Sequence, residues 1–117
     1  YGSAKGLLTI ESCNNYGIIT GEKVCGGIIS YANYATISNC SNTNAVTVTD
    51  VSVGGIGGLI AYPIITDCSN SGAIKGRQYV GGILGGAIKG ALARCSNTGN
   101  LTGESDVGNL VGLGTIN

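Results

Sequence analysis

Apolar residues in this chain recur with a period far longer than that of a helix or a strand. Ile10, Ile37, Ile65 and Leu92 form one series; Ile19, Val46, Ile74 and Leu101 form a second; Cys25, Val53, Val80 and Val107 form a third. A fourth runs through Ile28, Ile56, Ile83 and Leu110, with Tyr1 in the matching place of an incomplete earlier unit. Each series keeps step with a polar phrase: "CNNYG" from Cys13, "CSNTN" from Cys40, "CSNSG" from Cys68 and "CSNTG" from Cys95. The cysteines lie 27, 28 and 27 residues apart, and the extra residue falls between Val46 and Val53. Self-similarity at such a period marks a stacked repeat, in which a unit buries its apolar face only against its neighbours.

The residues between the apolar series predict how each unit turns. Two positions after each cysteine stands Asn15, Asn42, Asn70 or Asn97, and two further on stands Gly17, Asn44, Gly72 or Gly99. Gly and Asn best tolerate a left-handed backbone, so this second column predicts a tight left-handed corner. Another corner is predicted at Gly21, Gly76 and Gly103. Short apolar pieces rich in Ile, Val and Thr between glycines suit strands, while the glycine density opposes helix. The expected fold is all-β: a parallel β-solenoid, or β-helix, of about four 27-residue coils in a single domain over 1–117. The repeats fall at approximately 10–36, 37–64, 65–91 and 92–117, with a partial coil at 1–9. At a coil spacing of about 4.8 Å, Asn15, Asn42, Asn70 and Asn97 stack and bond amide to amide as a structural ladder.

The stretches "GIIS" at Gly27–Ser30, "GILG" at Gly82–Gly85 and "NLVG" at Asn109–Gly112, each following a Cys-x-Asn corner, resemble the GLUG repeat of bacterial surface and secreted proteins. The resemblance covers nearly the whole chain. That family includes the non-catalytic part of some IgA-cleaving metallopeptidases, and it implies a β-structured extracellular segment with no chemistry assigned to any residue. The second unit departs from the pattern with "GIGG" at Gly55–Gly58, and the fourth has Asn109 in place of the first glycine.

Composition removes several kinds of chemistry. With no histidine the chain has no His-Glu-x-x-His zinc helix, so peptidase activity is not expected. Charged residues make up 10% of the chain, and six Lys plus Arg balance six Asp plus Glu, which leaves no basic surface for nucleic acid. The longest apolar stretch, Gly54 to Ile65, is too short to span a bilayer and contains Pro63, so no membrane insertion is expected. Tyr1 is preceded by no leader, which places any targeting segment outside this sequence. The five cysteines show no Cys-x-x-Cys spacing and are expected as free thiols, with Cys25 a small core residue. Glycine-rich segments lack the complete patterns for nucleotide or calcium, so no cofactor and no metal are expected.

The carboxylates are scattered. Glu104 and Asp106 share a corner beside Arg77 of the preceding coil, and Asp67 and Arg94 share a column, which predicts surface ion pairs rather than a catalytic acid and base. Tyr34 and Tyr62 also share a column, between Leu7 and Lys89, and form a candidate platform for a surface glycan. The series Thr20, Thr47, Thr102 is interrupted by Lys75, which argues against an ice-binding array. Neither end shows a polar cap, so the chain is expected to pair with neighbouring coils of a longer solenoid or with identical subunits end to end. The resulting expectation is a non-enzymatic stalk, spacer or adhesive module of an extracellular or cell-surface bacterial protein. The alternatives are a self-assembling fibre subunit and, more weakly, a carbohydrate-binding or polysaccharide-processing β-helix.

Overall fold

The computed structural model describes residues 8–116, with side chains as far as 113. Tyr1 and Leu7, and with them most of the expected partial coil, lie outside these residues. Every regular element described is a strand. The second coil shows the plan: Ala35–Ser38, Ser41–Asn42, Val46–Val48, Ser52–Gly54 and Gly57–Ala61 form five short sides. The first coil repeats it from Leu8–Glu11 to Ile29–Asn33, and the third and fourth repeat it from Ile64–Thr66 to Val111–Ile116. Leu84–Ala93 runs through the corner at Lys89 and so joins two walls into one sheet. The chain is a parallel β-solenoid of about four turns, as its period predicts.

Pairing between coils is parallel and in register. Ile10, Ile37, Ile65 and Leu92 are successive partners, as are Ile19, Val46, Ile74 and Leu101. Cys25, Val53, Val80 and Val107 pair likewise. Backbone hydrogen bonds of 2.9 to 3.1 Å link Ile28, Ile56, Ile83 and Leu110 in order. Members of these series in the two middle coils are fully buried, and their counterparts in the outer coils are half-covered or, at Val107, exposed. Burial therefore comes from stacking, because a coil of this width encloses too little interior to bury a side chain without a neighbour above and below.

The interior has two parts. Ile37, Ile56, Ile60, Ile65, Ile83 and Leu84 lead the larger cluster, and Val46, Val48, Val53, Ile74 and Val80 make the smaller. Asn42 and Asn70, fully buried, lie between them, because a Cβ added to Gly27 or Gly55 on the opposite wall would strike their amides. The paired glycines of the first three coils are thus fixed by volume. The second glycine of each pair leaves room for an asparagine that crosses the interior.

Gly17, Asn44, Gly72 and Gly99 each sit at a bend between two strands, where the sequence predicts a corner, but the backbone there is not left-handed. Among the described residues no glycine has positive φ and neither does Asn44, which corrects the left-handed assignment of Gly17, Asn44, Gly72 and Gly99; Gly21, Gly76 and Gly103 lie at the next junction between strands. The left-handed residues are Ser12, Asn39, Asp67 and Arg94, each just before the column cysteine, together with Tyr34, Tyr62 and Lys89 between coils and Asp106 in the last coil. One left-handed residue between two strands bends the chain sharply while its side chain points outward, where neighbouring coils support it. The glycines serve close approach instead. A Cβ on Gly72 would run into the Asn44 carbonyl oxygen and one on Gly99 into that of Gly72, while Gly21, Gly76 and Gly103 make room for Cys25, Val53 and Val80. Asn44 occupies its place by bonding the Tyr16 carbonyl through Nδ2 at 2.9 Å and accepting the Ala45 N–H at 2.8 Å.

Candidate functional site

The densest polar arrangement in the molecule is inside it. Asn15 Nδ2 donates to Asn42 Oδ1, Asn42 Nδ2 to Asn70 Oδ1 and Asn70 Nδ2 to Asn97 Oδ1, each at 2.7 Å. The second proton of each amide goes to the carbonyl two residues on: Gly17, Asn44, Gly72 or Gly99, at 2.7 to 3.1 Å. Gly17, Gly72 and Gly99 return their own N–H to the asparagine oxygen at 3.1 to 3.3 Å. The ladder thereby holds each coil to the next and pins the turn within the coil. Among the described residues no buried side-chain nitrogen or oxygen lacks a partner. That matters because an unpaired buried amide costs about 1–3 kcal/mol, more than a typical bond contributes.

The ladder continues one step beyond the asparagine column. Asn97 Nδ2 donates to Asn109 Oδ1 at 3.1 Å. Asn109 comes from the opposite wall, at the position that Gly27, Gly55 and Gly82 occupy in the other coils. Its departure from glycine was visible in the sequence, but its reach across the interior was not. The expectation that neither end is capped is thus corrected for the ladder: Asn109 closes it, while the strands of the fourth coil have one paired neighbour each.

A thiol column runs beside the ladder. Cys13, Cys40, Cys68 and Cys95 donate to the carbonyls of Glu11, Ser38, Thr66 and Ala93 at 3.2 to 3.4 Å, and all five cysteines are free. Burial pushes the Cys25 and Cys40 thiols up, and the hydrogen bond with Cys95, together with burial, pushes Cys68 up further. Cys40 and Cys68 are therefore neutral, enclosed and poorly nucleophilic. Cys25 packs against the valine cluster.

Two groups of paired charges lie on the outside. Arg94 grips Asp67 through Nε at 2.7 Å and Nη2 at 3.1 Å, which holds the Asp67 carboxyl below the usual range. Arg77 lies between Glu104, at 3.0 Å, and Asp50, at 3.5 Å, in the coils on either side. Asp106 turns a left-handed corner and joins neither pair. The guanidinium fills the space between the two carboxylates where an attacking water and a glycosidic bond would have to sit, so this trio does not have the layout of a general acid and base. Beside it an open groove of about 450 Å³ is lined by Thr47, Lys75, Thr102, Arg77 and Glu104. No group of three metal-ligating side chains occurs among the described residues.

The tyrosines meet as the stacked pair that their shared column predicts. Tyr34 and Tyr62 stack with centroids 4.7 Å apart and planes 4° from parallel, on left-handed residues with φ of 57° and 56°. Rings lying side by side in one plane cannot approach so closely, so they are face to face along the stack and cover one face of each other. Their edges and hydroxyls point outward. Both residues remain partly exposed at the surface. In the remaining outward column, Thr20, Thr47, Lys75 and Thr102 pair in register, with the lysine interruption in place.

No family model, no curated protein and no solved structure matches the chain.

Proposed function

We propose that the chain is a non-enzymatic structural repeat module, a rigid spacer or stalk segment of an extracellular bacterial protein. The observation that carries the reading is the ladder through Asn15, Asn42, Asn70 and Asn97, in which buried polar groups are consumed by coil-to-coil bonds. Five outer charges are consumed in the same way, with Asp67 bound to Arg94 and Arg77 to both Glu104 and Asp50. Chemistry needs groups held in readiness for a substrate, whereas these are occupied by each other. A repeat stabilised by nearest-neighbour contacts suits a spacer, because its length scales with coil number and its stiffness with ladder bonds. Extracellular placement rests on the resemblance of the glycine-apolar segments to the GLUG repeat.

The runner-up is a fibre subunit that stacks end to end, favoured by the strands of the outer coils that have one paired neighbour. Sedimentation velocity over a wide concentration range, with a reducing-sugar assay on a panel of polysaccharides, separates the readings. The spacer predicts a single monomeric species and no released sugar. Concentration-dependent long particles favour the fibre, and released sugar overturns both.

A further inference from the structure

We propose that Asn109 is a built-in stop, which closes the C-terminal end of the ladder against any further coil, whether of the same chain or of a second copy. Three observations converge on it. First, the ladder has a direction: each Nδ2 donates to the Oδ1 of the following coil, from Asn15 through Asn42 and Asn70 to Asn97. The next acceptor after Asn97 would belong to a coil beyond the fourth, and Asn109 Oδ1 takes that role at 3.1 Å.

Second, Asn109 stands at the one wall position where the ladder forbids a side chain. Gly27, Gly55 and Gly82 are linked to one another and to Asn109 by successive backbone hydrogen bonds of 3.0 to 3.1 Å, so the four are equivalent. A Cβ on Gly27 would meet Asn42, one on Gly55 would meet Asn70 and one on Gly82 would meet Asn97, in each case the rung of the coil that follows. By the same geometry the Cβ and amide of Asn109 occupy the space that the rung after Asn97 would need.

Third, the substitution is matched to its place. An apolar residue there would block the ladder but leave the last amide proton unpaired, at a position half-shielded from water. Asparagine blocks it and supplies the missing acceptor. The consequence is an asymmetric stack. Among the described residues Asn15 Oδ1 accepts only the Gly17 N–H, at 3.3 Å, and has room for one more donor, whereas the other end is closed. Coils add to the ladder before the first coil and not after the fourth, whatever sequence follows.

Two measurements by NMR test this. In the chain as it stands, Asn109→Ala removes the acceptor but keeps the Cβ, and the Asn97 side-chain amide should then exchange more than about tenfold faster, reporting local opening. An unchanged rate overturns the proposal. In a chain extended by an in-register copy of residues 65–91 behind the fourth coil, Asn109→Gly should bring the added coil into the stack, its asparagine amide exchanging as slowly as that of Asn97. With Asn109 retained, the added amide should exchange as fast as an exposed one. Equal protection of the added coil with Asn109 and with Gly at that position overturns the stop. Glycine is the residue found at the equivalent position in the other three coils, so the Asn109→Gly chain is compatible with the fold.

Discussion

Asp67 and Arg94 sit one coil apart, both on left-handed backbone with φ of 54° and 53°, and are joined by a two-pronged ion pair of 2.7 and 3.1 Å. The pair shows how this solenoid turns: the conformation costs energy at a non-glycine residue, and contact with the neighbouring coil holds the side chain that results. Asn39 is the member of this column in the second coil, with φ of 53°. Asn39→Val should destabilise the chain by about 1–2 kcal/mol, while Asn39→Gly should be neutral or better. Urea unfolding checks this, and equal midpoints for the two variants would contradict the corner assignment.

Removing a central rung should cost more than removing an end one. Asn70→Ala leaves the buried Asn42 amide without its acceptor and the Gly72 N–H without its partner, at about 1–3 kcal/mol for each group left unpaired, while Asn97 Oδ1 keeps the Gly99 N–H. Asn15→Ala takes the donor from Asn42 Oδ1 but at the end of the stack, where water can replace it, and should cost about 1 kcal/mol. Comparable losses in thermal unfolding would remove the ladder from the stability account.

The wall glycines should be as intolerant as the rungs. Gly55→Ala drives a methyl group into the Asn70 amide and the Gly82 carbonyl, an overpacking of about 1–3 kcal/mol. Asn70→Ala in the same chain should recover part of that loss. Additivity of the two in a double-mutant cycle would show that they do not touch.

The thiol column makes stability sensitive to alkali. Burial raises the folded-state values of Cys25 and Cys40, so the folded chain keeps these protons where the unfolded chain has lost them. Stability is therefore full below the unfolded thiol value of about 8.5 and falls as pH rises above it toward the raised folded values. Unfolding midpoints between pH 7 and about 10 should decline, with a shallower slope in Cys40→Ala. At pH 7 a thiol reagent should label exposed Cys13 quickly and leave Cys40 and Cys68 unlabelled until the chain unfolds.

A lysine at the C-terminal end distinguishes spacer from fibre. Leu113 is exposed, whereas Val111 packs against the larger cluster and cannot take a charge without loss of fold. Leu113→Lys should leave both the β signal in circular dichroism and the sedimentation coefficient unchanged. Loss of large particles on this change would promote the fibre reading.

The period, the parallel register and the ladder were legible in the sequence because in-register stacking places like residues in contact, so that each column records one environment. The bends at Gly17, Asn44, Gly72 and Gly99 were legible too, but the left-handed positions were not. Ser12, Asn39, Asp67 and Arg94 are chemically unlike one another, and their shared left-handed backbone leaves no common residue type once outward side chains find partners across coils. Gly72 and Gly99, by contrast, look like conformational glycines but answer to the bulk of a carbonyl in the adjacent coil, a contact that intra-coil reasoning does not reveal. Tyr34 and Tyr62 were legible as a stacked pair because in-register coils set like side chains one above the other.

The most direct test of a chain whose interior is devoted to holding its own stack is hydrogen exchange of the asparagine side-chain amides, followed by NMR. Asn42 and Asn70 should exchange slower by orders of magnitude than exposed Asn100, with Asn15 and Asn97 between them. Exchange of Asn42 and Asn70 at the rate of Asn100 would contradict the account at its base.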